Sequence, residues 1–285
     1  MTRAGTLRRK DRPEAASLSE LPLRVVSALV LATVAIAATF LSPWTFLALV
    51  ILASFAVAWE WGRLVRSAGF DAAAIMQMVS VAAAAILVAL GRIDLALLVF
   101  VLAIGIVAAL GRPASRAVWS AVGVVYVALP VAALVWLRGD EALGAVAILF
   151  VLVVAWTTDT VSYVAGRLLG GPKLAPSISP KKTWSGFLIG TLAPALIGYA
   201  FAAAIGDTSA WALGAVAVCL ALACQFGDLF ESAVKRHFGT KDMSQLIPGH
   251  GGLLDRLDGF LLAAVVAAAI ALRDPGQPAA GLLLW

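Results

Sequence analysis

The chain is built from long apolar runs separated by short polar breaks, and no period-two alternation competes with them. Nine runs stand out, at about 25–42, 44–62, 71–90, 94–110, 117–137, 144–165, 186–206, 210–230 and 257–272. Each is close to the roughly 20 residues that an α-helix needs to cross a bilayer, and each is bounded by charge, Gly or Pro. Only Ser42, Pro43 and Trp44 lie around the first break, which predicts a tight helical hairpin. The last run is short enough to lie partly in the interface. The pattern predicts an all-α, polytopic integral membrane helical bundle with about nine transmembrane helices.

Composition strengthens this reading. The 285 residues are 62% hydrophobic and 13% charged, well beyond the roughly 45–50% apolar content of soluble domains. Cys219 and Cys224 share one apolar run and suggest packing, with no disulfide framework and no zinc spacing. The sequence divides into a basic N-terminal segment (1–24), N-terminal transmembrane helices (25–137), a C-terminal transmembrane region with the charged motifs (138–272) and a short tail (273–285). No small-residue cleavage pattern follows the first run, which is therefore expected to be a retained span.

Charge then orients the bundle, because cytoplasmic loops carry an excess of Lys and Arg. With nine spans and a cytoplasmic N-terminus, eighteen of the 21 Lys and Arg residues fall inside, and only Arg92, Arg138 and Arg273 fall outside. This topology puts the loop "GRLLGGPKLAPSISPKKTWSG" and the stretch "KRHFGTKDMSQLIPGHGGLLDRLDG" on the same side. The two can share a site.

Acids in such a chain need partners, since an Asp at a membrane helix centre costs about 2.5–3.5 kcal/mol. On a continued helix Asp228, Glu231, Ser232 and Lys235 line one face. Asp255 and Asp258, three apart, are expected to share a face at the start of the last helix, behind the flexible Gly249, Gly251 and Gly252. Asp228 and Asp255, with Asp258 nearby, suit a hard cation such as magnesium, which takes one or two carboxylates plus substrate phosphates. Lys235, Arg236, Lys241 and Arg256 stand around them, as do Lys173, Lys181 and Lys182 from the preceding loop. Acids holding metal and bases holding phosphate point to phosphate chemistry. Ser179 and Thr183 are candidate donors to phosphate, and Asp242 beside Lys241 joins the substrate-binding set. His250, packed between glycines, is a candidate to orient a phosphate. Asp159 should face the bundle interior or the site, and Glu60 is expected to pair with Arg63 at a helix end.

The segment Ser232-Ala-Val-Lys-Arg, then Lys241-Asp242, then Ile247-Pro-Gly-His-Gly-Gly-Leu-Leu-Asp-Arg-Leu-Asp258 resembles the signature of the phosphatidate cytidylyltransferases, or CDP-diacylglycerol synthases. "FGDLFES" and "KLAPSISPKKTWSG" support the resemblance, although Ser185 stands where that family commonly has Glu. The resemblance implies that CTP and phosphatidic acid give CDP-diacylglycerol and pyrophosphate at the cytoplasmic face of a bacterial inner membrane. It implies magnesium, leaves room for a second, monovalent cation and for a homodimer, and gives no role to nucleic acid. In this reading Asp228, Lys235, Arg236, Asp255, Arg256, Asp258 and His250 are catalytic, and Asp228, Asp255 and Asp258 hold the metal. Two alternatives remain open: a CTP-dependent polyprenol- or phytol-type lipid kinase, and an ion-coupled secondary transporter, which would also bury acids but should show repeats.

Overall fold

Apolar runs become helices because a backbone in lipid must satisfy its own hydrogen bonds. The computed structural model describes residues 14–247 and 251–285; most of the basic N-terminal segment, and His250, lie outside the described residues. The helices are α1 (Glu14–Leu41), α2 (Pro43–Arg66), α3 (Ala72–Ala89), α4 (Ile93–Leu110), α5 (Ala117–Arg138), α6 (Gly144–Leu169), α7 (Trp184–Leu192), α8 (Ala195–Ile205), α9 (Ala210–His237), α10 (Leu254–Ala271) and α11 (Pro278–Leu283). Between α6 and α7, strands β1 (Lys173–Ala175) and β2 (Ser179–Thr183) pair antiparallel, with Lys173 opposite Thr183 and Ala175 opposite Ser179.

Among the described residues seven segments are long and apolar enough to cross a membrane, and Val25–Leu41 is a shorter apolar helix. The expected hairpin at the first break is present. Ser42 caps α2 by accepting from the Thr45 amide, with Pro43 in the first turn, where its missing N–H costs nothing. Three expectations need correction. The chain is not wholly helical, because the loop after α6 folds into the β1–β2 hairpin. The run 186–206 is two helices, broken at Ala193 and Pro194, where proline cannot donate to the helical ladder. The tail also carries α11, which packs on α10, α6 and α5.

The interior is formed where α9 meets α10, α8 and α6, and where α5 meets α2, α3 and α10. Trp61, Phe150, Leu137, Ile148 and Leu220 are fully buried there. By contrast, α4 buries only Ala96, Ala103 and Val107, leaving Leu97, Leu98, Val101 and Leu102 outward as a lipid-facing helix would. Lipid is as apolar as Leu, so tight contacts fall to small residues. A Cβ at Gly227 would lie 2.6 Å from the Asp258 carbonyl oxygen and 3.0 Å from Gly259 Cα, and one at Gly259 would lie 2.7 Å from the Cys224 carbonyl oxygen. The backbones of α9 and α10 therefore touch beside Asp228 and Asp258. Gly227→Ala is expected to force them apart at a cost of about 1–3 kcal/mol, read as a lowered unfolding midpoint in detergent. An unchanged midpoint would mean that the helices do not meet there.

Contacts at the helix ends sort the described polar residues into two groups. At one end Arg66 clamps Asp71 (Nε–Oδ2 2.7 Å), the Trp119 and His237 rings lie 5.0 Å apart, and Arg116 covers Phe238. Burial alone would raise the Asp71 carboxyl, but the Arg66 guanidinium and the Ala74 amide hold it below its ordinary value. Its stabilisation is thus present above the unfolded carboxylate range and fades only as pH falls through the lower folded value. At the other end Arg138 donates to the Thr39 carbonyl (2.7 Å), Asp140 accepts from the Ala279 amide (3.1 Å) and Arg273 stacks on Trp285.

Candidate active site

Five structural units surround a cavity of about 660 Å³ at the first of these ends, with α7 contributing Gly186 and Phe187. From α6 come Asp159, Ser162 and Tyr163; the hairpin adds Lys173, Lys181, Lys182 and Thr183; α9 adds Gln225 and Asp228; α10 adds Arg256 and Asp258. Each element has a local reason for its position. Thr183 caps α7 by accepting from the Gly186 amide, which fixes the end of β2 to a helix start. Ser185 donates to the Gly170 carbonyl and lies 3.0 Å from Thr183 Oγ1, closing the base of the hairpin. Arg236 donates to the Ile178 and Thr240 carbonyls and so ties the hairpin turn to the end of α9.

Eight of the residues singled out from sequence line this one cavity: Asp159, Lys173, Lys181, Lys182, Thr183, Asp228, Arg256 and Asp258. Three carboxylates from three helices thus face cations from a hairpin and from α10. The shortest link is Lys182 Nζ to Asp228 Oδ2, at 2.5 Å. Ser179 lies in β2 outside the lining, and Lys241 and Asp242 are exposed on the connection between α9 and α10.

Asp255 and Lys235 sit differently. Lys235 Nζ bridges Glu231 Oε2 (2.6 Å) and Asp255 Oδ1 (2.7 Å), and Glu231 is fully buried. Asp255 Oδ2 accepts from the Met243 amide (3.1 Å) and the Gly252 amide (3.0 Å). Both Asp255 oxygens are therefore engaged in holding the connection, while Asp258, one turn on, looks into the cavity. Gly252 is required by this arrangement, because a Cβ there would lie 2.8 Å from both Asp255 Oδ2 and Glu60 Oε1.

The expected pairing of Glu60 with Arg63 is not what forms. Glu60 is fully buried and accepts from the Ser244 hydroxyl, the Leu253 amide (2.9 Å) and the Leu254 amide (2.7 Å). It supplies from α2 the cap that α10 lacks, since Leu253 has no capping side chain. Arg63 instead lies over the Trp59 ring at 4.8 Å. The sequence held one signal for this role: an acid inside "AVAWEWGRL" must find buried donors. Sequence reasoning also passed over Gln225 and Ser162, whose neutral side chains carry no charge pattern to mark them.

The chemistry available is that of a phosphate site. Among the described residues no three His, Cys, Asp or Glu side chains gather closely enough to hold a metal by themselves. Asp159, Asp228 and Asp258 nevertheless bring carboxylate oxygens to the cavity, the donor type that magnesium takes together with phosphate oxygens and water.

Comparison with known proteins identifies the family. A profile described as the cytidylyltransferase family matches residues 22–272. The chain is 36% identical over 249 residues to a protein of Brucella abortus named phosphatidate cytidylyltransferase, covering 87% of this chain and 92% of that one. A protein of the same name from Staphylococcus epidermidis is 45% identical over 115 residues, 40% of this chain and 44% of the relative. With the profile reaching from α1 through α10 and the Brucella relative aligned over nearly its whole length, the chain belongs to the cytidylyltransferase family.

Proposed function

We propose that the chain is a phosphatidate cytidylyltransferase that converts CTP and phosphatidic acid into CDP-diacylglycerol and pyrophosphate. The observation that carries this is the single cavity in which Asp159, Asp228 and Asp258 face Lys173, Lys181, Lys182 and Arg256. A phosphate oxygen of the lipid attacks the α-phosphorus of CTP, the bond from that phosphorus to the β-bridging oxygen breaks, and pyrophosphate leaves. The hairpin lysines and Arg256 bind the phosphates and meet the charge that grows on the leaving group. Asp228 and Asp258 would hold magnesium, with Asp159 beside them; when bound, the ion supplies neutralisation of phosphate oxygens. Lys235, Glu231 and Asp255 set the position of the α9–α10 connection from which Asp258 projects.

The site end lies at the cytoplasmic face of a bacterial inner membrane, with nine spans and an internal N-terminus. The eighteen-to-three division of Lys and Arg supports this orientation. CTP then arrives from water while the lipid phosphate arrives in the plane of the bilayer. The test is incubation of detergent-purified protein with labelled CTP, phosphatidate and magnesium, followed by identification of both products. CDP-diacylglycerol and pyrophosphate are expected. Release of CDP with a newly phosphorylated lipid would replace this reading with a lipid kinase.

A further inference from the structure

The hydrogen bonds of Gln225 count out in only one way. Its Nε2 lies 2.8 Å from the Phe187 carbonyl oxygen and 2.7 Å from Thr191 Oγ1. A backbone carbonyl only accepts, so the end of the amide facing it must be the nitrogen. Thr191 spends its single proton on the same carbonyl, at 2.7 Å, and therefore receives the second Gln225 proton. Both donors of the amide are consumed, and its orientation cannot reverse without setting two acceptors against each other.

What remains is Oε1, a fixed acceptor on a side chain that lines the cavity one helical turn from Asp228. On α6, Ser162 packs on α7 at Gly190, where an added Cβ would collide with its Oγ, so its buried hydroxyl belongs to that helix contact. Phe187 of α7 lines the same wall, and an aromatic side chain is the type of group on which a planar base stacks. A locked acceptor and an aromatic residue beside a phosphate site are the parts of a nucleobase pocket.

We propose that Gln225 Oε1 reads the exocyclic amine of a 4-aminopyrimidine. This rests on the assignment of CTP as substrate and goes beyond it by naming the atoms that select the base. Cytosine carries an amino donor at position 4, where uracil carries a carbonyl acceptor. Uracil in the same pose would set its carbonyl oxygen against Oε1, and the clamp formed by Phe187 and Thr191 prevents the amide from turning to suit it. A buried site that reads one polar group rejects the analogue lacking it.

The experiment compares kcat/KM for CTP, UTP and dCTP in the purified full-length protein, for wild type, Gln225→Met and Thr191→Val. In the wild type CTP is favoured over UTP. Gln225→Met should reduce that preference at least about tenfold, mainly through loss on CTP. Thr191→Val, which leaves Gln225 in place but releases one arm of its clamp, should reduce it by a smaller factor. The ratio does not depend on how much protein folds. If Gln225→Met is too unstable to assay, Thr191→Val decides, and an unchanged ratio there overturns the proposal. Equal loss on CTP and UTP would make Gln225 a tie between α7 and α9, which also overturns it. A change in the CTP to dCTP ratio alone would assign Oε1 to the ribose and has the same consequence. Absence of any CTP turnover by the wild type would instead remove the parent assignment, a result distinct from all of these.

Discussion

Asp228→Asn is expected to lower nucleotide transfer by about 10³-fold, or about 4 kcal/mol of transition-state stabilisation, while the protein still inserts and folds. The substitution keeps the shape of the side chain and removes its charge. Asp228 stands where α9 touches α10, so its carboxylate is held close to Asp258 and against the tip of Lys182. Its folded-state value is small, because an ion pair with both members roughly a quarter to a third exposed contributes about 0–1 kcal/mol. Activity and stability should therefore separate. Turnover measured with labelled CTP should collapse, while the unfolding midpoint moves little. Raising magnesium should recover part of the rate if the lost group is a ligand, since weaker binding is offset by concentration. Full activity in the purified variant would remove Asp228 from the metal site.

The outline of this bundle was legible because membrane helices are written as continuous apolar runs, and the order of the runs matches the order of the helices. Their ends were also partly legible: Ser42 and Pro43 mark a helix start by rules that operate within four residues. The gathering of Lys182, Asp228 and Asp258 could be anticipated from the charge count, which placed their segments at one end. What the sequence could not separate was Asp255 from Asp258. Spacing by three suggests one face, but α10 starts only at Leu254, so Asp255 sits in its first turn and turns back to the Met243 and Gly252 amides. Lys235 was hidden for the same reason. Its charge suggested a phosphate ligand; Glu231, one turn back on α9, was within local reach at 2.6 Å, but tertiary folding also sets Asp255 at 2.7 Å.

Glu60 shows the same limit at greater range, and its removal is the second large effect expected. Its three donors lie 184 to 194 residues away in the chain, where no local rule could find them. Glu60→Ala would leave the Ser244 hydroxyl and the Leu253 and Leu254 amides without acceptors in a buried place, each at about 1–3 kcal/mol before relaxation. It would also remove a negative charge from the N-terminus of α10, where the helix dipole favours one. The connection from Met243 to Leu254 should loosen, and with it the placement of Asp258. We expect a clear drop in unfolding midpoint, faster proteolytic cleavage between α9 and α10, and at least about a 10²-fold loss of turnover, since small misplacement at a reacting centre is costly. Glu60→Gln should fall between, because its carbonyl oxygen can keep two of the donors while its amide nitrogen opposes the third. If Glu60→Ala were cleaved and turned over as the wild type is, the α2 carboxylate would not be what anchors the active-site helix.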